Sequence, residues 1–160
     1  MLFRSGMGPR PSPPYSTLGQ TAFALASERH SLVSDQSPEY GGEGLGPMPS
    51  ELLLWAVAAC FGQAVRHVAA RRRQPVEALA VTVSAEKDPA AFRFGEITLV
   101  VRAALPRQRL EAIVEQAKRY CFVTSSLSVP VRLEIQVLVP SSGNAGETHA
   151  PTAGGDNEIS

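Results

Sequence analysis

The stretch Gly46-Pro-Met-Pro-Ser-Glu-Leu-Leu-Leu-Trp-Ala-Val-Ala-Ala-Cys60 decides how the rest of the chain is read. Pro49 followed by Ser50 and Glu51 reads as a helix start, with Ser50 as the cap and the Glu51 carboxylate in the first turn, where it complements the helix dipole. From Ser50 to about Arg73 there is no proline, and Gly62 is the only glycine. One long helix is expected, ended by Pro75. Its first half, Leu52 to Phe61, is apolar on every side, so it must be buried all round, through the middle of a domain or against a second subunit. The second half is amphipathic, with Ala64, Val65, Val68 and Ala69 apolar and Arg66, His67 and Arg71 to Arg73 solvated.

Outward from this helix, the pattern changes to period two. On the amino-terminal side, Tyr40 to Pro49 holds four glycines, a loop of unusual backbone freedom. Before it, Thr21 to Ala26 and His30 to Ser34, parted by Ser27-Glu28-Arg29, suit two antiparallel strands and a tight turn. On the carboxyl-terminal side, Glu77 to Glu86 alternates as a half-buried strand, and Phe92 to Ala104 follows as a second whose apolar face switches near Gly95, where a bulge is expected. Pro106 opens a second helix with Leu110, Ile113, Val114, Ala117 and Cys121 in one stripe. Val131 to Val139 alternates as a last strand. The order β-β-α-β-β-α-β predicts an α+β domain, an antiparallel sheet packed on a long buried central helix.

The chain has 160 residues, enough for one domain with its own core. That domain is expected over residues 15–140, between a flexible proline-rich arm at 1–14 and a disordered tail at 141–160. With 15 Lys+Arg against 15 Asp+Glu, no overall field draws the chain to nucleic acid or an anionic membrane, and neither is expected as a partner. Arg71-Arg72-Arg73 reads as a solvated helix end. The apolar run Leu52 to Phe61 is about half the ~20 residues that cross a bilayer, and no signal peptide pattern opens the chain. A soluble cytoplasmic protein is expected. Cys60 and His67 share a helix face, yet no second pair of ligands accompanies them, so no metal is expected. The glycines at 41, 42, 44 and 46 are not followed by Gly-Lys-Ser/Thr and form no phosphate loop.

Two cysteines are too few for a disulfide framework or a self-sufficient zinc site. Cys60 lies in the all-apolar part of the first helix and Cys121 ends the stripe of the second, so both point inward. Packed helices can make them neighbours although 61 positions separate them in sequence. From the residues alone, two readings stay open: inert core thiols, which free cysteines often are, or a redox pair.

The segment from Gly46 to Cys60, preceded by Asp35, Pro38 and Gly41-Gly42, resembles the helix-entry and first-cysteine segment of the OsmC/Ohr family. Independently, Ala117-Lys-Arg-Tyr-Cys121-Phe-Val123 resembles that family's second-cysteine segment, and the likeness runs from about Tyr15 to Val139. The resemblance implies an OsmC-like fold and an intertwined homodimer with active sites at the subunit boundary. It also implies a thiol-dependent peroxidase, in which Cys60 reduces organic hydroperoxides or hydrogen peroxide, Cys121 resolves the sulfenic acid, and an unidentified dithiol reductant restores both. No metal or organic cofactor is implied. The alternative is a non-enzymatic protein that binds a small hydrophobic ligand or senses redox state.

Only a thiolate attacks peroxide, and apolar surroundings disfavour it, so a cation must compensate. In the Ohr branch an amino-terminal arginine does so, supported by a glutamate in an Asn-Pro-Glu-Gln helix opening. Here Ser50 occupies that position and the carboxylate has moved to Glu51, as in a broader Gly-Pro-x-Pro-x-Glu-Leu-Leu-Leu branch. Glu51 is nine positions from Cys60 and about 180° around an ideal helix, which argues for capping or a subunit contact. Arg29 is the candidate cation; otherwise it is a solvated turn residue.

Overall fold

The computed structural model describes Ser16, Thr17 and residues 19–138. The arms expected at 1–14 and 141–160 lie outside the described residues. Where apolar residues alternate, sheet forms. Strand β1 (Ser16–Thr17), β2 (Phe23–Ala26) and β3 (Ser31–Ser34) make one antiparallel sheet. The turn between β2 and β3 is closed by the Ser27 N–H donating to the His30 carbonyl at 2.7 Å and the His30 N–H donating to Ser27 Oγ at 3.2 Å.

After the loop at 35–48 comes helix α1 (Pro49–Arg71). It begins two residues earlier than a Ser50 cap would allow: Met48 is the cap and Pro49 the first helical residue, because proline's fixed φ suits that position. Strand β4 (Ala80–Lys87) and β5 (Phe94–Ala103) follow as an antiparallel pair. Glu86 faces Glu96 and Lys87 faces Phe94, so Gly95 is the extra residue of the expected bulge. Helix α2 (Arg107–Ala117) leads through a 3₁₀ turn at Lys118–Tyr120 to the short helix α3 (Phe122–Ser125) and then to β6 (Val131–Val137).

Two expectations need correction. The second sheet, ordered β4-β5-β6, is mixed: β6 runs parallel to β5, with Val101 facing Ile135. Alternation shows which residues face inward and says nothing of strand direction, whereas the crossover through α2 and α3 returns the chain to the end of the sheet where β5 begins, so that β6 pairs parallel to it. Of the two ways expected to cover helix α1 on all sides, burial through the middle of the domain does not occur: within one chain it is buried on one side. Val57, Phe61, Ala64, Val65, Val68 and Ala69 are covered, while Trp55 is 56% exposed and Leu53 37%. A single three-stranded sheet can cover only one side of a helix.

The core lies between that side of α1, the inner face of the second sheet and α2. Ile97, Leu99, Val101 and Ala103 of β5, Leu110, Ile113 and Ala117 of α2, and Val57, Val65 and Val68 of α1 are fully buried. Each of the larger side chains contributes roughly 1.5–3 kcal/mol of burial. Among the described residues α1 is the one helix long and apolar enough to cross a membrane, and here it is packed on β4, α2 and α3 as a core helix.

Candidate functional site

Cys60 sits on α1 between the buried residues Val57, Phe61 and Ala64, on the helix flank where burial begins to fall away, and it is half-buried. Cys121 is 1% exposed. The stripe of α2 brings it inward, as its spacing implies, yet it is not helical. Beyond the 3₁₀ turn its backbone is extended, at φ −88° and ψ 100°, and caps α3. Neither thiol is in a disulfide.

The two sulfurs are neighbours. Burial pushes the Cys121 thiol above its usual range; a hydrogen bond with Cys60 and repulsion from a Cys60 thiolate push it the same way, and hydrogen bonds from the Thr124 hydroxyl and N–H pull it partly back. Two adjacent thiolates repel, so Cys121 keeps its proton and can donate it towards Cys60. The Thr124 and Ser125 hydroxyls also donate to the Cys121 carbonyl, at 3.3 and 2.8 Å. Thr124 is absent from the sequence reading. Ser or Thr three or four residues on closes a turn in this way, a pattern that points to Thr124 only once the chain is known to leave the helix before Cys121.

Glu51 stands apart from the thiols. Its carboxylate accepts the Met48 N–H at 2.8 Å, closing the first turn of α1 as a cap. Arg29 is exposed in the Ser27–His30 turn and, among the described residues, makes no hydrogen bond or ion pair. The structure thus brings Cys60 and Cys121 together and leaves Arg29 and Glu51 outside that contact. His67, two turns along α1 from Cys60, has its ring 5.0 Å from that of Tyr120, the residue before Cys121.

The glycine loop is organised by one buried carboxylate, Asp35, 1% exposed. The Thr21 hydroxyl donates to Oδ1 at 2.6 Å, as does the Gln36 N–H at 2.8 Å; the N–H groups of Glu43 and Leu45 donate to Oδ2 at 3.0 and 3.2 Å. The Thr21 bond first, and the backbone donors with it, outweigh burial and hold this carboxyl at about 2. The loop then docks on β3: Asp35 N–H and Ser34 Oγ–H both donate to the Pro47 carbonyl, two residues before α1. Two open depressions, of about 430 and 410 Å³, lie at 27–30 and around Gly95 and Pro130, and a cysteine lines neither. Among the described residues no group of three or more His, Cys, Asp or Glu is placed to hold a metal ion.

Comparison with known proteins adds three findings. The family described as "OsmC-like protein" matches residues 41–136, a span with both cysteines and more than half of the chain. No curated protein matches. Among solved structures, a hypothetical protein from Aquifex aeolicus VF5 is 19% identical, with 78% of this chain and 93% of that one covered and a TM-score of 0.65. The organic hydroperoxide resistance protein OsmC from Legionella pneumophila is 27% identical over 78% of this chain and 100% of its own, at a TM-score of 0.55. The organic hydroperoxide resistance protein OhrB of Bacillus subtilis is 28% identical over 77% and 96%, at 0.58.

Proposed function

Because the chain belongs to the OsmC-like protein family, we propose that it is a thiol-dependent peroxidase acting on organic hydroperoxides or hydrogen peroxide, in defence against oxidative stress. The observation that carries this reading is the contact between two thiols of unequal exposure: Cys60 half-buried and reachable, Cys121 buried and protonated beside it. The two relatives named for organic hydroperoxide resistance support the substrate class.

In the first step the Cys60 thiolate attacks an oxygen of the peroxide, the O–O bond breaks, and the leaving alkoxide or hydroxide takes a proton from solvent. Cys60 is then a sulfenic acid. The Cys121 sulfur next attacks the Cys60 sulfur; the S–O bond breaks, and hydroxide leaves with the Cys121 proton as water. A dithiol reductant restores both thiols by two exchanges. Cys121 must not be a thiolate too early, since it would repel the thiolate that does the chemistry. Its raised pKa serves this order of events.

We assign the charge that favours the Cys60 thiolate to Arg29, reaching it across the proposed subunit boundary since within one chain it stands outside the thiol contact, and to Glu51 the capping of α1. The open side of α1, where Leu53 and Trp55 are apolar and exposed, supports a homodimer.

The test is intact-mass spectrometry under denaturing conditions after one equivalent of cumene hydroperoxide, or of hydrogen peroxide, is added to the reduced protein. Loss of two hydrogens mapped to Cys60 and Cys121 is expected. Cys121→Ser should stop with one oxygen added at Cys60, and Arg29→Ala should react more slowly. No mass change over minutes would overturn the proposal in favour of a non-enzymatic ligand-binding or redox-sensing role.

A further inference from the structure

We propose that the ring contact between His67 and Tyr120 is a clasp that holds Cys121 against Cys60 and sets how readily the disulfide closes. The inference rests in part on the peroxidase reading, since disulfide closure is its second step.

Cys60 and His67 are seven positions apart on α1, which is two turns, about 10 Å along the axis and nearly the same direction around it. One side of the helix therefore carries both, and both meet consecutive residues of the same neighbouring segment: Cys60 meets Cys121, and His67 meets Tyr120 at 5.0 Å with the rings inclined by 56°. The long tyrosine side chain spans the difference between two helical turns and one residue of chain. These contacts lie where the chain leaves regular helix while still packed on α1. Helix α2 ends at Ala117, the 3₁₀ turn ends at Tyr120, and Cys121 is extended before the four-residue α3. The hydrogen bonds of the Cys121 backbone run to Thr124 and Ser125 in its own segment, so towards α1 the segment is held by packing. Arg72 Nε donates to Gln116 Oε1 at 2.8 Å and joins α1 to α2, but it is exposed and five residues before Cys121.

Closing the disulfide needs the two Cα atoms within about 4.4–6.8 Å and the sulfurs brought from contact to bonding distance. An ångström of slack at Cys121 is therefore costly to the rate, in the way that misplacing any reacting group is. His67 and Tyr120 touch neither sulfur in this scheme; they are positioning residues.

The experiment compares Tyr120→Ala, His67→Ala and Tyr120→Phe with the unaltered protein. Two quantities are read: the lifetime of the Cys60 sulfenic acid after peroxide, by dimedone trapping and mass spectrometry, and the dithiol–disulfide equilibrium of the pair in glutathione buffers. The alanine variants should consume the Cys60 thiol at the unaltered rate, hold the sulfenic acid about tenfold longer, and shift the glutathione equilibrium about tenfold towards the dithiol. Tyr120→Phe keeps the ring and should behave as the unaltered protein. A folded alanine variant that closes its disulfide normally in both assays overturns the inference. Should Tyr120→Ala fail to fold, His67→Ala decides, since alanine suits a helix at that half-buried position. If peroxide leaves Cys60 untouched in every protein, the peroxidase reading fails, while the glutathione equilibrium still decides the clasp.

Discussion

Gly46→Ala is expected to destabilise the protein by about 2 kcal/mol, whereas Gly62→Ala is expected to stabilise it by up to about 1 kcal/mol. A Cβ on Gly46 would lie 2.0 Å from the Val33 carbonyl oxygen and 2.7 Å from its carbon, and side chains essentially never approach other atoms within 3.0 Å. Those atoms are backbone and cannot swing aside, so the loop must lift from β3. It would lift where Asp35 N–H and Ser34 Oγ–H meet the Pro47 carbonyl, at 3.3 and 2.9 Å. Two hydrogen bonds at about 1 kcal/mol each set the loss. At Gly62 the nearest atom is Val81 Cγ2 at 3.5 Å, an ordinary contact. There the methyl group fits, and α1 gains the difference in helix propensity between alanine and glycine. Urea unfolding followed by far-UV circular dichroism at one fixed protein concentration reads both changes. With a slope of about 2 kcal/mol per molar, the midpoint should fall by about 1 M for Gly46→Ala and rise by up to about 0.5 M for Gly62→Ala. Equal midpoints, or a drop at Gly62 as large as that at Gly46, would refute the reasoning from close approach.

Asp35 ties folding to acidity: its carboxyl is held at about 2 in the fold, against a usual value of 3.8. A lowered native pKa means stability present above about pH 4 and lost as pH falls towards 2; urea midpoints at pH 5 and pH 3 should fall further for the unaltered protein than for Asp35→Asn, and parallel falls would exclude Asp35 as the cause. Glu51→Ala should cost about 1 kcal/mol of stability through the lost cap, with Glu51→Gln close to neutral and Cys60 oxidation unchanged in both; a slowed peroxide reaction in either would return Glu51 to the chemistry. Trp55→Glu places a charge on the open apolar side of α1; by sedimentation equilibrium the unaltered protein should be the proposed dimer and the variant a monomer, and a variant that stays dimeric would move the subunit contact elsewhere.

The sheets were legible because Leu79 to Ala85 and Val131 to Val137 alternate, and Gly95 marked its bulge by switching the apolar face of β5. Strand direction was not, since a parallel and an antiparallel β6 have the same alternation; the 27 residues from Ala104 to Pro130 were the available sign of a crossover. The stripe from Leu110 to Cys121 placed the second thiol in the core correctly and its backbone wrongly. A 3₁₀ turn carries a chain round almost as an α-helix does, so the helical spacing runs on past the point where the helix stops. Apolar Leu53 and Trp55 gave the need for cover on all sides of α1, which one chain does not supply. The cap formed by Glu51 was one of two uses open to it, while Thr124 and Tyr120 became visible only once the segment around Cys121 was seen to leave the helix.

The crossover to β6 also orders events during folding. From Pro49 to Ala103 the chain builds α1, β4 and β5 from contacts close in sequence, whereas pairing β6 with β5 requires a long loop to close, a slower and entropically costlier event. Cys60 belongs to the early part and Cys121 to the loop that closes late. A pulse of alkylating agent during refolding should therefore find Cys121 open until β6 docks. A chain still emerging from the ribosome at residue 105 has Cys60 but not Cys121, so under the proposed chemistry a sulfenic acid formed then would lack its resolving partner.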